Sequence, residues 1–198
     1  MKYSAGIVSS SFWLIETKTT AKYILDGFSR TEIIDLALTE NIYQVDSERR
    51  ARRMANTLYK RLKDFPEEIL QYFVNADVNS SKLVVLISIL KNDKLFFEFM
   101  YEVFREHVIL GNYTLKMSDF VIFFEDKSNQ SEIIEKWTEK TVKRLGSIYK
   151  LFLSEAGILD NNSKDEFKII VPFLDFRLRE LLVQNNFEPF VKSIIGEN

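Results

Sequence analysis

The chain has 198 residues, 46% hydrophobic, 28% charged and 14% aromatic, with a formal net charge of −2. That length spans one domain or two small ones, and the apolar fraction suffices for a packed core, which excludes a disordered chain. Six glycines, three prolines and no cysteine exclude a turn-rich β-sandwich, a collagen-like repeat, disulfides, thiol nucleophiles, zinc fingers and iron–sulfur sites. Helical periodicity then runs through most of the chain. Residues 12–26 read as a first helix, stopped by Gly27 at the usual C-terminal glycine position. Ser29-Arg30-Thr31-Glu32 is a capping-box pattern that opens a helix to about residue 41. After a short connection, Ser47 caps a long helix to residue 63, and Pro66 stands at the first position of the next. Further helices are expected at 81–91, 93–110 and 118–127, and the longest over 131–156, ending at Gly157. Ile158-Leu159, the polar turn 160–165 and the run 167–171 read as a small hairpin, followed by helices at 175–184 and 187–195. The least hydrophobic boundary lies near 111–117, which divides the chain into 1–112 and 113–198.

Charge is unevenly spread. Segment 47–63 carries a net +6 and segment 136–150 a net +4, against −2, −7 and −3 for 1–46, 64–135 and 151–198. Two short basic blocks in an acidic chain are candidate surfaces for a polyanion. On a helical wheel at about 100° per residue, Ala51, Met54, Ala55, Leu58 and Leu62 share one side of the first block. Arg49, Arg53, Asn56, Lys60 and Lys63 lie opposite, with Arg50, Arg52 and Arg61 at the flanks. A helix, a turn and a basic helix is the layout of a helix-turn-helix, whose second helix enters the major groove. An ordinary solvated face would mix signs, and this one barely does.

The second block repeats the pattern. Ile134, Trp137, Thr141, Leu145, Ile148, Tyr149 and Phe152 share a face, opposite Lys136, Lys140, Lys143, Ser147 and Lys150, with Arg144 at the side. Thr141-Val142-Lys143-Arg144, then Gly157 and a hairpin, resembles a winged-helix domain, in which a helix reads the major groove and the hairpin reaches the backbone or minor groove. The expected fold is therefore mainly α, multi-helical, with two helix-turn-helix-like units, the second winged.

The abundant phenylalanines, among them Phe96, Phe97, Phe99, Phe104, Phe120, Phe123 and Phe124, fit core packing better than base stacking. Glu98, Glu102 and Glu106 fall on one helix face and read as solvated or as a partner surface. A lone histidine, His107, builds no His-based metal site, and no Walker loop, G-x-G-x-x-G, G-x-S-x-G or paired-carboxylate motif is present. No enzyme, cofactor or metal is expected. The longest apolar stretch, 83–90, is far short of the about 20 residues a spanning helix needs. Residues 1–11 carry one lysine and no sustained apolar run. A cytoplasmic protein without membrane contact is expected.

Several short motifs carry a family resemblance: Ser4-Ala5-Gly6; Phe12, Glu16 and Thr17 with Ala21 and Gly27; Glu40-Asn41; and the arginines of 49–53 leading to Lys60-Arg61-Leu62. With them the chain resembles the BrxA family, small accessory proteins of bacterial BREX phage-defence systems. The resemblance implies a mostly helical protein encoded beside a DNA methyltransferase and large ATPases. It also implies an association with double-stranded DNA and other defence proteins, and brings no set of catalytic residues. The family has carried two further labels, NusB-like RNA-binding antitermination protein and inner-membrane protein; the lack of a spanning segment speaks against the second. The expected function is non-enzymatic binding of double-stranded DNA, mainly through phosphates, by Arg49, Arg50, Arg53, Asn56, Lys60 and Lys63 and by Lys136, Lys140, Lys143, Arg144 and Lys150. RNA binding of the NusB type and a protein-interaction adaptor are the alternatives.

Overall fold

Local sequence signals set most helix ends in the computed structural model, which describes residues 2–160 and 165–197. They fall into two compact units. The smaller is Trp13–Asn92, and the larger joins the chain up to Phe12 to the chain from Asp93 onward. The expected 112/113 boundary falls inside the larger unit, where β1 (Thr114–Lys116) pairs with β3 (Glu166–Ile169).

In the smaller unit, α1 (Leu14–Leu25) starts two residues later than its pattern, because Trp13 takes a left-handed conformation. It ends in a Schellman motif. Phe28 N–H donates to Tyr23 O at 2.9 Å and Gly27 N–H to Ile24 O at 3.1 Å, with Gly27 at φ 86. The Tyr23 and Phe28 rings, 5.3 Å apart, make the accompanying apolar contact. The capping box forms as expected: Glu32 accepts from Ser29 N–H at 2.7 Å, Ser29 Oγ accepts from Glu32 N–H at 3.4 Å, and α2 runs Arg30–Thr39. α3 (Glu48–Leu62) begins at Ser47, which makes no side-chain cap, and Pro66 sits just before α4 (Glu67–Asn75). α5 (Val78–Leu90) is capped by Asp77 and buried throughout 83–90. Ser88 within it donates to Val85 O at 2.6 Å, so the one polar group of that run is satisfied.

The larger unit begins with a 3₁₀ turn, Gly6–Ser9, and continues through α6 (Lys94–Phe99), a π turn (Met100–Phe104) and α7 (Arg105–Ile109). β1 leads into α8 (Met117–Gln130). The pattern over 131–156 is broken in two: α9 (Glu132–Glu135) and α10 (Glu139–Glu155). Thr138 causes the break, its hydroxyl accepting the Thr141 N–H at 3.2 Å as an N-cap. β2 (Leu159–Asp160) and β3 form the expected hairpin, and β1 adds a third, antiparallel strand in the order β1-β3-β2. Most of the turn proposed as a wing tip, 161–164, lies outside the described residues. Leu115, Leu159, Phe167 and Ile169 bury one face of the sheet. α11 (Phe176–Gln184) and α12 (Glu188–Ile195) complete the unit, α12 packing on the π turn and α7.

The phenylalanines pack the core of the larger unit, as their spacing requires. Phe96 stacks on Tyr149 at 4.2 Å and Phe99 on Phe120 at 4.6 Å. Gly146 of α10 faces Phe120 and Phe124. Glu98 departs from the solvated face expected of it, whereas Glu102 stays exposed. The ammonium of Lys127, only 5% exposed, sits 2.8 Å from Glu98 and 2.6 Å from Glu102. Tyr3 Oη donates to Glu98 at 2.9 Å, and Lys94 pairs with Glu98 at 3.4 Å.

Gly196 closes α12 at φ 75, and a Cβ there would lie 2.2 Å from Val108 Cγ1. Gly196→Ala is therefore expected to destabilise the larger unit by about 1–3 kcal/mol. A Cβ on helical Gly146 would meet only ordinary contacts from 3.7 Å outward. Gly146→Ala should gain about 0.5–1 kcal/mol from helix propensity. Urea unfolding of both variants checks the pair, and a stable Gly196→Ala protein would refute the clash.

Candidate nucleic-acid interface

The first basic helix owes its orientation to an apolar seam. Ile33, Ile34 and Ala37 of α2 close against Ala51, Met54, Ala55 and Leu58 of α3, joined by Tyr43 from the connection. That connection, residues 40–47, is longer than the three- or four-residue turn of a helix-turn-helix. It is held by two left-handed residues: Asn41, whose Oδ1 accepts the Val45 N–H at 2.9 Å, and Gln44, whose N–H donates to Asn41 O at 2.8 Å. Tyr43 anchors it from inside, its hydroxyl 2.8 Å from Thr20 Oγ1, and burial pushes that phenol up to about 12.

With the seam buried, Arg49, Arg50, Arg52, Arg53, Lys60 and Lys63 are exposed. Ser47, Arg49, Arg50 and Arg53 line an open depression of about 430 Å³. Among the described residues no carboxylate pairs with Arg49, Arg50, Arg52, Arg53 or Lys60, whereas Lys63 lies 3.8 Å from Asp64. A row of guanidinium groups without internal counter-charges attracts an external polyanion, and arginine suits phosphate oxygens through its planar fork.

Two side chains of this helix depart from the wheel. Arg61, expected at the flank of the basic face, is 4% exposed and lies over the Trp13 ring, 5.5 Å from its centroid. Burial lowers its guanidinium pKa to about 10. Asn56 lies on the expected face, yet its amide is engaged. Oδ1 accepts from Arg30 Nε at 2.8 Å and from Arg30 Nη2, while Nδ2 donates to Arg52 O at 2.8 Å. Arg30 of α2 is thus brought onto the α3 face, which a wheel drawn on α3 alone cannot show.

The second block is thinner than expected. Lys136 lies in the break between α9 and α10 and leaves the stripe. Lys143 is paired with Glu139 at 2.6 Å, and Lys150 is half-buried, its ammonium 4.8 Å from the Phe167 ring centroid. Lys140 and Arg144 are exposed without a charged partner among the described residues. The opposite side buries Leu145, Gly146, Tyr149, Phe152 and Leu153, in keeping with the wheel for the three of them it named. On the sheet, Lys116 is taken up by Glu166 at 3.4 Å.

Among the described residues, no group of three or more His, Asp or Glu side chains is placed to hold a metal ion. Among the described residues, no helix is long and apolar enough to cross a membrane.

Comparison with known proteins adds four findings. A family model described as BrxA matches residues 1–186. The chain is similar to a BREX protein BrxA of Bacillus cereus (strain H3081.97), 35% identical over 195 residues, covering 98% of this chain and 97% of that protein. It is also similar to a BREX protein BrxA of Paramagnetospirillum magneticum (strain ATCC 700264 / AMB-1), 21% identical over 193 residues and covering 98% and 96%. Among solved structures, the crystal structure of an uncharacterized protein from Magnetospirillum magneticum superposes with a TM-score of 0.83 over 100% of both chains. At 19% identity, that likeness speaks to the fold alone.

Proposed function

The chain belongs to the BrxA family, and on that premise we propose that it is a non-enzymatic accessory protein of a BREX phage-defence system that binds double-stranded DNA in the cytoplasm. One observation carries the DNA-binding part: five exposed cations of α3, Arg49, Arg50, Arg52, Arg53 and Lys60, have no carboxylate partner among the described residues. Contacts of this kind go to phosphates, so affinity comes with little sequence preference. α2 with α3 acts as a helix-turn-helix-like element with an extended turn. α10, with the hairpin beside it as a wing, acts as a lesser contact through its own Lys140 and Arg144, exposed without a charged partner among the described residues.

The test is binding of a labelled DNA duplex over a range of salt, in competition with duplex RNA of the same sequence. Three to four phosphate contacts give a slope of log K against log salt of about −3 to −4, similar for scrambled sequences. Preference for the RNA duplex would favour the NusB-type alternative, and no binding at low salt would remove nucleic acid altogether.

A second reading has its own support. Phe173 and Phe176 are 88% and 78% exposed, next to exposed Ile170 and Val171. Apolar surface of that extent suits contact with another protein of the defence system.

A further inference from the structure

The amide of Asn56 stands in the middle of the α3 cation row, one turn after Arg52 and Arg53 and one turn before Lys60. At that place an asparagine side chain ordinarily offers itself to a base edge. Here its acceptor is already taken by one edge of the Arg30 fork, Nε and Nη2, and one of its two amide protons by Arg52 O. Arg30 reaches it from the first residue of α2, whose start is fixed by the Ser29–Glu32 capping box. The outer edge of the guanidinium, Nη1 with the remaining Nη2 proton, has no partner among the described residues. That edge is the one that grips a phosphate with two parallel hydrogen bonds.

We infer that Arg30 is a further phosphate-contacting residue of the α3 face and that Asn56 is its positioning residue, holding the guanidinium over the gap in the cation row rather than reading a base. The inference rests on the proposed binding of duplex DNA. A free arginine must give up its rotamer freedom when it binds, and one already held by Asn56 gives up less. The clamp makes the row continuous across both helices: arginines early on α3, Arg30 in the middle, Lys60 beyond. As a mere tie between two helices the pair would count for little, since both partners lie toward solvent.

The experiment measures affinity for a fluorescently labelled DNA duplex of arbitrary sequence across a salt series, with thermal melting of each variant alongside. Arg30→Ala is expected to weaken binding about tenfold and to flatten the salt slope by about 0.9, the mark of one lost phosphate. Asn56→Ala should weaken binding by less, and the double variant should bind no worse than Arg30→Ala alone, because Asn56 acts only through Arg30. Asn56→Asp separates function from structure. A carboxylate keeps and strengthens the tie to Arg30 but cancels its charge, so melting should hold while binding falls below that of Asn56→Ala. Wild-type binding by Asn56→Asp or by Arg30→Ala would overturn the clamp. So would full additivity of Asn56→Ala and Arg30→Ala, which would make Asn56 a direct contact. If charge reversal at Arg49 and Arg53 also left binding intact, the reading of α3 itself would fall, a result distinct from loss of the clamp alone.

Discussion

Arg49→Glu with Arg53→Glu is expected to lower affinity for duplex DNA about a hundredfold or more and to remove about 1.8 from the magnitude of the salt slope. Each residue supplies one charge-assisted phosphate contact, worth about tenfold in affinity and about 0.9 in slope. The loss should be alike for all sequences, as befits backbone contacts. Folding should not suffer. Both side chains are exposed, opposite the Met54 and Leu58 seam, and exposed substitutions usually shift stability by about 0.5 kcal/mol or less. Glutamate at 49, in the first turn of α3, even favours the helix dipole. Reversal of Lys140 and Arg144 is expected to cost less affinity, because Lys143 and Lys150 beside them are already engaged by Glu139 and Phe167. Binding and melting on the same preparations check both. A double variant on α3 that binds like the parent would remove that helix from the interface.

Lys127→Met is expected to destabilise the larger unit by about 3 kcal/mol or more, because it leaves Glu98 largely buried without the ammonium 2.8 Å away. Adding Glu98→Gln should restore part of the loss, since removing both charges costs less than stranding one. The pH dependence has a definite sign. Burial alone would raise the Glu98 carboxyl, but Lys127, Tyr3 and Lys94 outweigh it and hold it below the usual carboxylate range. Its contribution to stability is present above the unfolded-state value and is lost as pH falls through the lowered folded-state value. Burial likewise would lower Lys127, but Glu102 and Glu98 hold it above its usual value. Its contribution is complete below the unfolded-state value and is lost only as pH rises through the raised one. Without Lys127, burial of Glu98 favours its neutral form, so the deficit of Lys127→Met should shrink between about pH 7 and about pH 4. Urea titrations followed at Trp137, which lies in the larger unit, measure this. A deficit that grows on acidification would contradict the assignment.

The parts of the fold that could be read from the sequence are those whose cause is local. The Ser29–Glu32 box, the Gly27 stop and the apolar seam of α3 each lie within a few turns of one another. The break at Thr138 was hidden because apolar spacing continues from Ile134 through Trp137 to Thr141, while one hydroxyl cap outweighs that pattern. β1 was invisible for another reason: three residues show no period, and their identity as a strand comes from pairing with β3 some fifty residues on. The same distinction governs the candidate site. A wheel gives the direction of a side chain but not its partner. It therefore placed Arg49, Arg53, Lys60 and Lys63 on the exposed face with Arg50 and Arg52 at its flank, and missed that Trp13 draws Arg61 inward. That Arg30 occupies Asn56 and that Lys127 is buried between two glutamates depends on contacts no helical period encodes, whereas the Glu139–Lys143 pair is an i,i+4 contact on one helix.

The larger unit is discontinuous in the chain, and this sets an order of events during synthesis. When Asn92 has left the ribosome, every residue of the smaller unit is available, and its most extensive helix pair, α2 with α3, joins consecutive elements. The 3₁₀ turn at Gly6–Ser9 was made earlier, yet it packs against α10, more than a hundred residues downstream. This turn, made before the smaller unit, is thus seated only after α10 has been made, and the burial of its Ile7 waits for that packing. Closing so long a loop is slow compared with forming a local helix pair. Refolding should accordingly show a fast phase at Trp13 and a slower one at Trp137, and the nascent chain should display a finished arginine face while the phenylalanine core of the rest is still open.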